Sequence, residues 1–414
     1  MPNEDRLQRR TFLGRGAALS AGVMYFASNT LEAMTMPRLR VTGCELLPIR
    51  ATERTVWLIV RIRTDAGLSG LGEASDAFGF AKTTKEDSAR MESELKRFFA
   101  LIDGKSPLEI GDYRRQGEPL LADGGLPAAT AFSAIEQALW DLAGKALEVP
   151  THTLFGGRVR EALPVYANIN RATKSRTPAG FAATAKAAVQ DGFRAVKAAP
   201  FDGFPAPGSP ASAIDAAVEN GIACLAAMRE AIGPDMELMV DCHSFFDVPL
   251  AERIARRLEP LKLAWYEEPV PPEQVAETLE IKRRIRQPMA GGELLYGVAG
   301  FTPLIRNRAV HVIMPDVKHC GGLLELTRIA AVAESEGLSV APHNPSGPVA
   351  TAVSIQACAV LKNFYSLELQ WGEVPWRSDL LTPPEQFETG TVRVPDRPGL
   401  GIELNEAVVR EHLM

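Results

Sequence analysis

The chain has 414 residues, long enough by the usual size scaling for two or three hydrophobic cores. Hydrophobic residues make up 46% and charged residues 23%, the composition of an ordinary globular protein, which excludes a multi-span membrane protein and a disordered chain. Lys plus Arg number 45 against 51 for Asp plus Glu, a net charge of −6, so the basic footprint of a nucleic-acid binder is absent.

The first segment, Arg9-Arg10-Thr11-Phe12-Leu13, is a twin arginine followed by an apolar stretch from Ala17 to Ala27, too short to span a bilayer. It resembles a twin-arginine export signal, which implies a periplasmic protein; if it is not a signal, the expectation reverts to the cytoplasm. Residues 1–36 are therefore set apart from the fold. Val56 to Ile62, the turn Thr64-Asp65-Ala66-Gly67 and Leu68 to Ala74 predict a hairpin. Helical spacing follows over 85–101 and 127–147, where Ala128, Ala131, Ile135, Ala138, Leu139 and Leu142 recur near a period of 3.6. Residues 37–163 thus read as an α+β domain.

From Pro164 the rhythm changes to short apolar runs alternating with helical segments. Runs ending near Ala167, Val196, Val240, Tyr266, Ala290, Ile313, Ala341 and Leu367 supply eight parallel strands, as a closed (β/α) barrel over 164–369 requires. The widest gap, after the second strand, holds a Pro- and Gly-rich inserted loop at 201–210. Gly70-x-Gly72 lies in the hairpin and Gly14-x-Gly16 in the first segment, so neither is a dinucleotide fingerprint. Residues 370–414 are Pro-rich, too short for their own core, and predicted to fold back on the first domain. The five cysteines are scattered without a Cys-x-x-Cys pair, which argues against a disulfide framework or zinc ribbon.

Catalytic groups of a barrel collect at the C-terminal ends of its strands. There the sequence places Lys197, Asp241 with His243, Glu267 with Glu268, Glu293, Asp316, His343 and Glu368. Asp241, Glu267 and Glu293, on three successive strands, would aim three carboxylates at one spot, which calls for a cation among them. All-oxygen ligation with room for water and substrate suits Mg²⁺ better than Zn²⁺. Strand alternation puts His243 beside Asp241, where it is the natural proton acceptor. His343 and Asp316 on neighbouring strands predict a His–Asp dyad, a second proton carrier across the mouth. Glu268, Lys318 and His319 read as structural or as supports one layer behind the reacting groups.

The chain from Leu39 onward resembles the enolase superfamily, in the branch containing mandelate racemase and the acid-sugar dehydratases. The resemblance rests on Gly67 to Glu73, Val240-Asp241-Cys242-His243, Trp265 to Val270, Gly291-Gly292-Glu293, Pro315-Asp316 with Gly321-Gly322, and Pro342 to Val349. It implies an α+β capping domain, completed by the C-terminal segment, on a modified TIM barrel. It also implies Mg²⁺ on Asp241, Glu267 and Glu293, and removal of the proton α to a carboxylate through a metal-stabilised enediolate. After strand two the run is Lys197-Ala198-Ala199, where racemases and cycloisomerases of the branch carry Lys-x-Lys. Asp-x-His after strand three with His343–Asp316 is similar to the D-galactonate dehydratase arrangement. His243 would take the C2 proton of an aldonate or aldarate, and His343 would help the C3 hydroxyl leave, giving a 2-keto-3-deoxy acid. Lys197 and Glu368 would hold the substrate carboxylate or polarise the intermediate. Substrate choice would fall to the loops Thr52-Glu53-Arg54 and Asp76 to Phe80, with Arg54, Phe78 and Asn344 as contacts. A homo-oligomer is implied as well. A racemase or epimerase using the same histidines, and an exported sugar-acid receptor without catalysis, are the alternatives.

Overall fold

The computed structural model describes residues 38–79, 82–122 and 124–414. The twin-arginine segment, the apolar stretch after it and Phe80 lie outside the described residues.

The chain opens with a three-stranded antiparallel sheet, β1 (Val41–Arg50), β2 (Val56–Thr64) and β3 (Ser69–Glu73), followed by helices α1 (Lys85–Phe99), α2 (Ile110–Gly117) and α3 (Gly125–Ala146). β2 is apolar on both faces because both are covered: Val56, Leu58, Val60 and Ile62 join a core with α1 and α3, while Trp57 and Ile59 join the barrel core. Alternation with period 2 sorts the two sets. The Gly-x-Gly of β3 has a packing cause: a Cβ at Gly70 would stand 2.1 Å from the Ala138 carbonyl oxygen, and one at Gly72 2.0 Å from that of Ala134. The sheet therefore lies directly on the backbone of the alanine-rich α3.

The barrel alternates β4 (Ala162–Asn168), α4 (Pro178–Gln190), β5 (Ala195–Ala198), α5 (Ala211–Ile232), β6 (Glu237–Asp241), α6 (Val248–Leu258), β7 (Trp265–Glu267) and α7 (Val275–Arg284). It continues with β8 (Met289–Gly291), α8 (Gly297–Arg306), β9 (Val312–Ile313), α9 (Gly322–Ser335), β10 (Ser339–Val340), α10 (Pro348–Val360) and β11 (Leu367–Gln370). β4 to β10 pair in parallel in chain order and β11 returns to β4. Closure between the last two strands comes from Val340 N–H donating to Asn363 and Tyr365 N–H donating to Val340. The barrel begins at Ala162 and ends at Gln370, slightly outside the expected 164–369. α5 is long and apolar enough to cross a membrane, yet it is a barrel helix packed on α4.

The C-terminal segment binds both parts of the molecule, the barrel as well as the first domain. After β12 (Leu381–Thr382), β13 (Phe387–Glu388) and β14 (Thr391–Arg393), β14 lies antiparallel against the start of β4. Beyond β15 (Glu403–Leu404), α11 (Glu406–His412) leads to a bridge between Leu413 and Ile49 of β1, and Met414 N–H donates to Pro48. Trp376 stacks on His412 and meets Trp57 edge-on.

Two buried carboxylates of the first domain clamp it to the barrel. Glu136 of α3 accepts from Leu323 and Leu324 N–H at the start of α9. Glu73 of β3 accepts from Gly347 N–H at 2.7 Å and Ala350 N–H at 2.8 Å at the start of α10. Each carboxylate satisfies donors that a helix leaves unpaired and meets the positive end of its dipole. Glu73→Ala should therefore lower stability by about 2–3 kcal/mol, since it buries several donors without acceptors. Glu73→Gln should lose about half as much. Chemical-denaturation midpoints check this, and an unshifted Glu73→Ala midpoint would refute the clamp.

Candidate active site

β6 and β7 end on Asp241 and Glu267, which are register partners across the parallel pair. Glu293 follows β8 after a glycine, Gly292, at φ +107. One oxygen from each of the three carboxylates lies within 4.8 Å of the others, and all three side chains are buried. Trp265 Nε1 donates to Glu267 at 2.7 Å and Lys197 Nζ at 2.7 Å, fixing that carboxylate from below. Lys197 also reaches Asp241 at 3.2 Å and Glu368 at 3.0 Å.

Burial pushes the Glu267 carboxyl well above the usual range, and the charge on Asp241 adds to it against Lys197. Burial likewise raises Glu293, opposed by His343. Burial would raise Asp241 too, but His243 and Lys197 outweigh it and hold that group below its ordinary value. Glu293 Oε2 is buried without a hydrogen-bond partner. Crowded oxygen donors, two of them reluctant to ionise and one oxygen without a hydrogen bond, are a donor set that fits a hard divalent cation such as Mg²⁺.

His243 reaches this cluster by a route other than the expected one. β6 ends at Asp241, and both His243 and Ser244 take left-handed backbone, φ +45 and +58, so strand alternation does not apply. The turn brings His243 Nε2 to 3.2 Å from Asp241 Oδ2 and Nδ1 to 2.6 Å from Asp202 Oδ1. Asp202 was missed in the sequence. The signal that could have found it was the inserted loop after the second strand, which carries it to the barrel mouth. Burial would lower His243, but Asp241 and Asp202 raise it well above the ordinary histidine value.

On the other flank His343 Nδ1 lies 2.8 Å from Asp316 Oδ2, and His343 Nε2 lies 3.2 Å from Glu293 Oε2. Asp316 is shared: Lys318 Nζ approaches Oδ2 at 2.9 Å and its backbone N–H donates to Oδ1 at 2.7 Å. Lys318 is fully buried, bonds Ser346 at 2.5 Å, and comes within 3.7 Å of Asp76 in the first domain. His319 is structural, its Nδ1 2.9 Å from the Thr130 hydroxyl. Burial depresses its pKa from 6.5 to about 4. Between those values the unfolded chain binds the extra proton, so stability should fall as pH drops through that window, by up to roughly 3 kcal/mol. Unfolding free energies of His319→Gln measured between pH 7 and 4 should show a flatter slope than the unaltered protein; an identical slope would place the acid sensitivity elsewhere.

The cluster opens into a cavity of about 530 Å³ lined by Asp241, Glu293, His243 and His343, with Arg54 at the rim. Sequence reasoning missed Asn168, Asn170, Arg171 and Gln370 on its wall. Phe245 and Leu294, each 39% exposed, give the mouth an apolar edge. Two expected contacts are corrected. Phe78 is half-buried against the first domain's core with the Arg90 guanidinium 4.7 Å above its ring, and it is not on the cavity wall. Asn344 is buried with its amide on Thr351 and the Glu368 carbonyl, and its backbone N–H on the Glu368 carboxylate, so it holds Glu368 rather than substrate. Glu368 and Lys197 themselves stand behind the wall, bonded to each other and, through Asn168 Nδ2 at 2.7 Å, to its lining.

Comparison with known proteins bears on what this arrangement does. Residues 40–156 match the family model described as mandelate racemase / muconate lactonizing enzyme, N-terminal domain, and residues 180–408 match the enolase C-terminal domain-like model. The chain is 30% identical over 392 residues to a D-xylonate dehydratase of Haloferax volcanii, covering 92% of each. It is 32% identical to a D-galactonate dehydratase of Variovorax paradoxus, over 84% of this chain and 89% of that one. A solved structure of an enolase superfamily member from Salmonella Typhimurium superposes with a TM-score of 0.80 at 27% identity, over 90% of this chain and 98% of that one.

Proposed function

The chain belongs to the enolase superfamily, in its mandelate racemase / muconate lactonizing enzyme branch, and from that premise we propose that it is a hydro-lyase converting a sugar acid to a 2-keto-3-deoxy acid. The observation that carries this reading is the pair of buried or half-buried histidines, each with its own aspartate, flanking three converging carboxylates from opposite sides.

Asp241, Glu267 and Glu293 would hold Mg²⁺, which supplies Lewis-acid stabilisation of the negative charge that develops on the substrate carboxylate. Asp202 accepts from His243 Nδ1–H, so Nε2 is the nitrogen that faces the cluster; with the Asp241 charge taken up by the cation the ring would shed its Nε2 proton and act as the base for the C2 proton. Asp316 fixes His343 in the same way, so that Nε2 carries the proton delivered to the departing C3 hydroxyl. Water leaves with that proton, and the resulting enol reverts to the 2-keto acid. Lys197 and Glu368 act from behind, Lys197 as the fixed positive charge beside Asp241 and Glu267. The relatives named as sugar-acid dehydratases support the reaction class.

The purified protein, supplied with Mg²⁺ and a library of aldonic and aldaric acids, should release 2-keto acid detectable as its semicarbazone. Exchange of the C2 proton without release would favour an epimerase. Binding with neither release nor exchange would favour a receptor. The twin arginine at Arg9-Arg10 and the apolar stretch behind it support export to the periplasm by the folded-protein route. Fractionation should find the protein in the periplasm and, after substitution of both arginines by lysine, in the cytoplasm; no change would remove the export reading.

A further inference from the structure

A second cavity, of about 370 Å³, adjoins the first and shares Arg54, Asn170, Arg171, Asp202 and Gly203 with it. It lies between the turn at 52–55 of the first domain and the loop that follows β4. Four cations line it, Arg54, Arg171, Lys174 and Arg176, against two acids, Asp202 and Glu373. Both acids are engaged. Glu373 accepts from the Thr55 hydroxyl at 2.6 Å and pairs with Arg171 at 3.4 Å, while Arg171 also meets Asp76 at 3.2 Å. Asp202 is held by His243, by Asn170 at 2.7 Å and by Arg176 at 3.3 Å. Arg54 and Lys174 are exposed on this wall, and the wall as a whole keeps an excess of positive charge.

We propose that this cavity is a subsite for a second anionic group at the far end of the substrate, so that the preferred substrate is a dianionic sugar acid. The proposal rests on the dehydratase reading of the adjoining site and deepens it, because the sugar acids named for the relatives carry one carboxylate each. The geometry gives the direction. Asp202 touches His243 on one side and Arg176 on the other, so the cationic wall lies one side chain beyond the base that faces C2. A substrate whose C1 carboxylate sits at the three acidic residues would extend its tail past His243 towards Arg54, Lys174 and Arg176. A terminal hydroxyl there gains only a neutral hydrogen bond, whereas a carboxylate or phosphate gains charge-assisted ones from the cations of the wall. The acids hold Arg171, Arg176 and His243 in position, and the wall's excess of positive charge imposes the preference.

The test uses matched pairs that differ only at the terminal carbon: galactonate with galactarate, gluconate with glucarate, and gluconate with 6-phosphogluconate. Calorimetric titration of the full-length His343→Asn variant with Mg²⁺ present measures affinity without turnover. In at least one pair the dianion should bind roughly tenfold more tightly or better, and the advantage should shrink as ionic strength rises. Lys174→Gln and Arg176→Gln in the same background should each cut that advantage at least threefold, and Lys174→Gln should leave the monoanion's affinity within about twofold. A gain seen with 6-phosphogluconate alone would assign the subsite to phosphate, and one seen with the aldarates alone to a second carboxylate. Equal affinities within every pair, no binding of any member, or an advantage untouched by both substitutions would overturn the proposal. Failure of the dehydratase reading is a separate outcome, registered as no 2-keto acid from any member with the unsubstituted protein.

Discussion

His243→Asn should abolish both dehydration and exchange of the C2 proton with deuterated solvent, whereas His343→Asn should abolish dehydration and retain exchange. The asymmetry follows from which proton each ring carries. His243 Nε2 faces the cluster where the substrate carboxylate and its C2 would sit, with Asp202 fixing the other nitrogen. His343 stands on the opposite flank beside Glu293, reached from a different strand, where a C3 hydroxyl would be protonated as it leaves. Loss of a general acid or base from such a site costs about 10²–10⁴-fold in rate. The kcat for dehydration should fall by that much in both variants, with KM moving little, because neither ring supplies most of the binding. Proton NMR in deuterated water separates them. Equal loss of exchange in both would mean that the two rings share the C2 proton, as an epimerase requires.

The carboxylate cluster carries the second large effect. Metal that binds the folded chain and not the unfolded one adds stability by mass action, about 2.7 kcal/mol at a hundred times its dissociation constant. Mg²⁺ should raise the thermal midpoint by several degrees, with reversal by chelator. Glu293→Gln should abolish that rise and at the same time leave the metal-free protein as stable as the unsubstituted one or more so. The reason is that burial and the nearby Asp241 charge disfavour an ionised Glu293 more than the His343 ring, 3.2 Å from Oε2, favours it, and an amide removes a like charge from that crowd. Differential scanning calorimetry of both proteins with and without Mg²⁺ reads this without reference to turnover. A variant that still responds to Mg²⁺, or one that loses several degrees in its absence, would show that Glu293 is a structural acid and not a ligand.

Periodic features were legible in the sequence and local ones were not. The barrel could be read because each of its strands is a short apolar run, with an acid or a histidine at or just beyond its end from the third strand to the eighth, and such a run can be buried in few other ways. Asp241, Glu267 and Glu293 follow from the same pattern, since residues at strand ends are placed by the sheet. Asp202 and Arg171 sit in loops whose path depends on tertiary contacts, and no spacing rule reaches them. Helix α2 was missed because Asp112, Arg114 and Arg115 interrupt its apolar face, and Arg114 is recruited to Glu136 and Glu325 rather than to solvent. Phe78 and Asn344 were misplaced for the opposite reason: they neighbour important residues in sequence, yet one turns into the first domain's core and the other props Glu368. His243 comes within 3.2 Å of Asp241 through a left-handed turn, which the alternation rule applied to it does not describe.

The way Leu413 and Met414 meet the first domain bears on how the chain folds. β1 is an edge strand, and its outer side near Pro48 and Ile49 is met by Leu413 and Met414. That contact joins segments very far apart in sequence, so its loop-closure cost places it among the late steps of folding, after the barrel between them has formed. Until then the edge stays open to any passing strand, a known route to misassembly.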